Sequence, residues 1–158
     1  RDVVAQDVPC QTYLGRRHAF DAEALARDRL QHARMRVGLH RVVDAVDGAQ
    51  RVPQAALIAA DRAGLRGASF AREGRLATQI GPVIAADDAT ACALIGAALA
   101  RLAAPVFIDV PDRHARIQAW LRDLGFAPQR PLMRMAHGRS SAFDDLARLY
   151  AIAGPELG

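Results

Sequence analysis

Three residues, Val106-Phe107-Ile108, stand between two stretches of helical spacing, and this placement constrains the fold more than any other feature. A short, wholly apolar strand reads as buried on both faces. Before it, Asp87-Asp88 opens a helix whose apolar stripe is Leu94, Ile95, Ala98, Leu99 and Leu102, and Pro105 ends that segment. After it, Ile117, Trp120, Leu121 and Leu124 recur at i, i+3, i+4 and i+7. Asp112 is expected to cap this second helix. Gly125 is expected to stop it as a C′ glycine, with Phe126 packing back against the cap.

Upstream, Ala55–Ala60 reads as a strand ended by Asp61-Arg62-Ala63-Gly64. Leu65–Ala71 is a second strand, and the two are expected to pair as a hairpin. Leu76–Ala85 is a third, in which Gly81-Pro82 marks a bulge or an edge because proline cannot donate to a ladder. Pro131–Ala136 is the last. The order is strand, strand, strand, helix, strand, helix, strand.

The flanks are less regular. Val3-Val4 could begin a strand, but Pro9 and Gly15 are expected to break its continuation. Asp21 is a good N-cap, Phe20 can staple onto Leu25, and a helix is expected to run to about Val37 and end at Gly38. Residues 39–53 fit a short helix by the spacing of Leu39, Val42, Val43 and Val46, or a strand by their β-branched content. Phe143–Tyr150 reads as a short helical stretch. The chain therefore divides into an N-terminal part (1–54), an α/β core (55–138) and a tail (139–158). The N-terminal part reads either as the first elements of the fold or as the end of a preceding domain.

With 158 residues, half of them apolar, a single domain with a real core is expected. Alanine dominates, so elements must approach closely. The 21 basic residues are all Arg, and the net charge is +4. They are scattered and interleaved with acids, and aromatics are few, which argues against a nucleic-acid surface. The longest apolar run, Ala91–Ala100, is too short to cross a bilayer, and no secretory signal is recognisable. Cys10 and Cys92 stand alone, so neither a disulfide framework nor a zinc site is expected, and a reducing cytoplasm is the default. Cys92 reads as a buried inert thiol. No metal-ligand cluster or phosphate-cradling glycine loop is recognisable, and Ser69 lacks a nucleophile-elbow context. The chain opens at Arg1 rather than Met, as a fragment or a processed chain would.

Three segments together resemble the GNAT superfamily of N-acyltransferases: Gln79-Ile80-Gly81-Pro82-Val83-Ile84 leading into a helix, Val106-Phe107-Ile108-Asp109-Val110 leading into a second, and Trp120-Leu121-Arg122-Asp123-Leu124-Gly125-Phe126 closing it. The wording Ile80-Gly81-Pro82-Val83, Ile108-Asp109-Val110-Pro111-Asp112 and Ala151-Ile152-Ala153-Gly154-Pro155 looks most like the C-terminal domain of bacterial tandem-GNAT proteins. The resemblance implies an α/β (α+β) fold with a mixed, mostly antiparallel sheet flanked by helices. It implies acetyl-CoA as co-substrate, no metal, and transfer of an acetyl group to a small-molecule amine or a protein amino group. A preceding GNAT domain or a second copy is the partner it suggests. In the family the pantetheine pairs with the strand before the long helix, and the pyrophosphate sits on that helix's N-terminus, where free N–H groups and the helix dipole attract an anion. Carried onto this chain, these positions are Pro82, Val83, Ile84, Ala85, Asp88, Ala89, Thr90 and Ala91. Asp109 is the candidate general base for the attacking amine, or else a turn residue.

The chain departs from the family pattern at two places. Where the phosphate loop usually carries a basic residue and glycines, it has Ala86-Asp87-Asp88-Ala89-Thr90-Ala91. An aspartate that caps its own helix fills the N–H groups and repels a second anion. Where many members carry a tyrosine that protonates the leaving thiolate, this chain has Leu121. His114 reads as a solvated histidine, Trp120 as core, and Gln79 as a solvent-facing strand residue that could instead line a cleft. Two rival readings follow: a catalytically silent GNAT-like domain that binds a ligand or packs on a partner domain, and a helical regulator that uses Arg27–Arg36 against an acidic partner.

Overall fold

The computed structural model describes residues 3–16, 38–41, 52, 55–137 and 144–154. The expected helix over 21–37, with its Arg-rich face, and most of 42–53 lie outside the described residues. Eight strands form one sheet: β1 (Val3–Gly15), β2 (Gly38–Arg41), β3 (Leu57–Asp61), β4 (Gly64–Glu73), β5 (Thr78–Ala85), β6 (Val106–Pro111), β7 (Ala127–His137) and β8 (Leu149–Ala151). Two helices are described, α1 (Asp88–Leu99) and α2 (Ala115–Asp123). The strand order is β2-β3-β4-β5-β6-β1-β7, with β8 paired to β5. Among the described residues only β5 and β6 run parallel, and every other pairing is antiparallel. This is the mixed, mostly antiparallel sheet with flanking helices that the sequence implies.

The β3–β4 hairpin turns through Gly64, whose φ of +120° suits glycine alone, while the Asp61 carboxylate accepts from the Ala63 N–H at 2.8 Å. Gly81-Pro82 forms a bulge in β5. Ser69 and Ala71 on β4 pair with Val83 and Ile80, so three steps on β5 oppose two on β4. The C-terminus of α2 is a Schellman motif. Phe126 N–H donates to Leu121 C=O at 2.9 Å, Gly125 N–H donates to Arg122 C=O at 2.8 Å, and Gly125 adopts φ +86°.

Three expectations for the flanks and caps need correction. Pro9 and Gly15 do not break β1. Pro9 stands where the β1–β7 register already shifts, so the missing N–H falls on an interrupted ladder. Gly38 opens β2, and the helix expected to end there lies outside the described residues. Asp112 does not cap α2. His114 holds the N-cap position without a side-chain cap bond, and Asp112 instead accepts from Gln118 Nε2 at 3.2 Å. The stretch expected to be helical up to Tyr150 makes a turn and then enters β8, because β5 supplies a strand partner that local spacing does not reveal.

One core joins the helices to the sheet. Leu94, Ile95 and Ala98 of α1, Ile117 and Leu121 of α2, and Ile80, Val106, Ile108 and Val110 of the central strands are all fully buried. Each large aliphatic side chain there contributes roughly 1.5–3 kcal/mol relative to exposure. The alanine-rich α1 lies close against β4. A Cβ at Gly67 would stand 3.0 Å from a Leu94 methyl and 2.5 Å from the Ile84 carbonyl oxygen. Trp120 packs on this core while partly exposed.

Candidate functional site

The two parallel strands pair only over Thr78–Ile80 and Val106–Ile108. Past the bulge they part, and the chain's own residues 148–153 lie in the gap. Val83 pairs with Ala151 and Ile84 with Leu149. Ala85 N–H donates to Arg148 C=O at 2.9 Å, and on the other side Ile152 N–H donates to Asp109 C=O at 3.0 Å. Leu149, Tyr150, Ala151 and Ile152 are all buried. Gly81 faces this segment so closely that a Cβ would fall 1.9 Å from the Ile152 carbonyl oxygen, at φ +152°. Arg72 Nε adds a bond to Ala153 C=O at 3.3 Å.

The N-terminus of α1 is also engaged. Asp87, with extended backbone, accepts from Thr90 N–H at 2.8 Å and from the Thr90 hydroxyl at 2.7 Å. Arg66 holds the same carboxylate at 2.7 Å. Burial pushes the Asp87 pKa up, but the two Thr90 bonds and the Arg66 charge outweigh it and bring the carboxyl below its ordinary value. Asp88 accepts from the Tyr150 hydroxyl at 2.8 Å, and Arg116 lies 3.9 Å from its other oxygen. The Tyr150 ring stacks on His114, with centroids 4.0 Å apart and planes 26° apart. His114 is not solvated as expected. It is buried, and its Nε2 lies 2.9 Å from Leu149 C=O.

Of the positions expected to receive acetyl-CoA, Val83, Ile84, Ala85 and Asp88 meet the segment in this gap. Val83, Ile84 and Ala85 pair with the C-terminal segment, and Pro82 lies in the bulge. Asp88 meets Tyr150, and the Thr90 N–H is satisfied by Asp87. Ala91 N–H bonds the Asp87 carbonyl, and Ala89 lies between them in the first turn. Acetyl-CoA does not fit this arrangement. The β5 edge that would pair with pantetheine already carries β8, and two carboxylates stand at the helix end that would face a pyrophosphate.

A separate cleft of about 750 Å³ opens on the sheet beside the gap. Its lining includes Thr12, Gln79, Phe107, Asp109, Arg72, Arg75 and Arg130. Asp109 is buried and accepts from the Thr12 hydroxyl and from Gln79 Nε2, the latter at 3.1 Å. Gln79 is thus a buried partner of Asp109 rather than a solvent-facing residue. Register explains the grouping. Thr12 on β1 stands opposite Asp109 on β6 and opposite Arg130 on β7, so the three form one row across the sheet. A second row runs Arg72, Gln79, Phe107 across β4, β5 and β6. Thr12, Arg72 and Arg130 carry no local motif, so only sheet pairing brings them together.

Leu121, at the position of the expected proton donor, is fully buried in the core. Cys10 and Cys92 are buried and form no disulfide. Burial, with the nearby Asp112 and Asp109 carboxylates, pushes the Cys10 thiol up to about 11 against the opposing pull of Arg134. Among the described residues no group of three His, Cys, Asp or Glu is placed to hold a metal ion, and no helix is long and apolar enough to cross a membrane.

Residues 20–151 match the model of a family described as an acetyltransferase (GNAT) domain. Neither the curated proteins nor the solved structures compared with the chain give a match.

Proposed function

Because the chain belongs to the GNAT acetyltransferase family, we propose that it is a GNAT-fold domain that acts by binding a small ligand in the sheet-face cleft and transfers no acyl group from acetyl-CoA. The observation that carries this reading is the pairing of β8 with β5 through Val83–Ala151 and Ile84–Leu149. Gly81 supports it from the opposite direction, since its missing side chain makes room for the Ile152 carbonyl. The segments around Gly81-Pro82 and Ala151–Pro155 further support a place as the second, divergent domain of a tandem-GNAT protein. There a preceding GNAT domain would be the partner. Two buried cysteines outside any disulfide suit a reducing cytoplasm.

Calorimetry of the full chain with acetyl-CoA tests the proposal. No heat of binding at millimolar cofactor is expected; micromolar binding would overturn it.

A second reading, acetyl transfer to a small-molecule amine or a protein amino group, draws on one feature. Asp109 receives Ile152 N–H on its carbonyl while its carboxylate faces the cleft. Departure of residues 148–153 would therefore join gap and cleft at a carboxylate placed to accept a proton. Acetylation of an amine by the full chain, abolished in Asp109→Asn, would establish this reading instead.

A further inference from the structure

We infer that the sheet-face cleft takes a dicarboxylate with an apolar middle, one acid end on Arg75 and the other on Arg130. The inference rests on the reading that the domain works by binding in this cleft, and it names the ligand class. Asp109 offers a ligand nothing. It is 1% exposed, and its two carboxylate oxygens already accept, one from the Thr12 hydroxyl and the other from Gln79 Nε2. Arg72 is half-buried and held by the Ala153 carbonyl. The charges left to meet a ligand are those of Arg75 and Arg130. Both line the cleft and are exposed, and neither guanidinium makes a hydrogen bond or ion pair with another described residue.

The two arginines stand on opposite rims. Arg75 lies in the turn between β4 and β5, where Gly74 N–H donates to Ala77 C=O at 3.1 Å. Arg130 lies on β7, the last strand on the other side of the described sheet. From β5 across β6 and β1 to β7 is three strand spacings, about 14 Å. Half-buried Phe107 lies on the floor between them, and exposed Leu76 extends the apolar surface at the Arg75 rim. A single carboxylate that drew both side chains together would sit over the Asp109 charge. Two carboxylates joined by several methylenes keep their charges at the rims and lay uncharged carbon over the floor. A diamine would meet a cation at each end. Planar guanidiniums take carboxylates in a two-pronged geometry. Exposed ion pairs are individually weak, but joining two acid ends on one molecule makes the second contact intramolecular.

Calorimetry of the full chain with three probes tests the inference: adipate, hexanoate and 1,6-diaminohexane. Adipate is expected to bind about fivefold more tightly than hexanoate, as one added exposed ion pair allows, and the diamine to give no heat. Arg75→Gln and Arg130→Gln change exposed side chains, so the fold should persist, and each is expected to bring adipate down to the level of hexanoate. Arg62→Gln, an exposed change in the β3–β4 turn outside the cleft, should leave adipate binding as it was and so controls for the net positive charge of the chain. The inference is overturned if adipate gives no heat, if hexanoate or the diamine matches it, if either cleft variant leaves its affinity unchanged, or if Arg62→Gln weakens it equally. This test is separable from that of the preceding proposal. Binding of acetyl-CoA would sink the non-catalytic reading whatever adipate does, whereas silence toward adipate with silence toward acetyl-CoA would sink the ligand class alone.

Discussion

The Tyr150 hydroxyl donates to Oδ1 of Asp88 at 2.8 Å and so ties the C-terminal strand to the first turn of α1. Burial and the Asp88 and Asp87 carboxylates push the phenol pKa up, so it keeps its proton throughout the stable pH range. Tyr150→Phe keeps the ring on His114 and removes only this bond. A loss of about 1–2 kcal/mol is expected in urea unfolding at pH 7, since the bond has a charged acceptor. A change within error would mean that Asp88 rehydrates without cost.

Gly81→Ala should be far more severe. The new methyl would stand 1.9 Å from the Ile152 carbonyl oxygen, and alanine is strained at φ +152°. The C-terminal segment must move away. Hydrogen exchange should show lost protection at the Ile152 and Ala85 amides, while the Phe126 amide of the α2 cap stays protected. Full protection at Ile152 would show that the bulge can relax around a methyl group.

Asp87→Ala removes the α1 cap and the Arg66 partner together. A cost of about 1–2 kcal/mol at pH 7 follows from the lost cap. The folded pKa of Asp87 lies below its ordinary value of 3.8. Its contribution is therefore fully present above about pH 4 and fades as pH falls through the folded value. The gap between wild type and variant should narrow on acidification below pH 4. A gap of constant width would exclude a charge-dependent role.

His114 titrates in the opposite sense to a paired cation. Burial lowers its pKa from 6.5 and outweighs the hydrogen bond to Leu149, with Arg113 lowering it further and Asp88 opposing. The unfolded chain then binds the proton more readily than the folded one below pH 6.5. Stability should fall as pH drops from 7.5 through 6.5 and level off below the folded pKa. In His114→Gln the slope should be shallower, because the remaining histidines titrate equally in both proteins. Urea midpoints at half-unit pH steps would show it.

Native Cys10 should resist iodoacetamide at pH 8, because its thiol is buried and its pKa stands near 11. Alkylation should become rapid only in denaturant. Fast labelling of the native chain would mean that the β1–β6 region opens readily.

The features legible in the sequence are local ones. Leu124-Gly125-Phe126 specifies its own Schellman cap, and Gly81-Pro82 disturbs its own ladder, so both can be read from the residues themselves. The β3–β4 hairpin and α1 follow from nearby turn and capping signals. β8 was not legible, because Leu149–Ala151 becomes a strand only on meeting Val83 and Ile84 far back in sequence. Asp112 failed as a cap because the chain turns for two more residues before α2 begins at Ala115. The site was legible in its central residue, Asp109. Thr12, Gln79 and Arg130 join it through cross-strand register, and no spacing along the chain encodes that grouping.

β1 comes first in sequence yet is seated between β6 and β7, pairing with both. Most of its contacts therefore span a hundred residues or more. On the ribosome this strand cannot pair with β6 before Pro111, or complete its pairing with β7 before His137, has emerged. Residues 57–124 can assemble their hairpin, helices and parallel pair beforehand, but the edge of the sheet that holds Thr12 against Arg130 must close late. Long-range closure of this kind is slow. A nascent chain stalled before Ala127 should therefore hold the helical layer without β7 and its Arg130, and would expose the outer edge of β1 to chaperones or to a neighbouring chain.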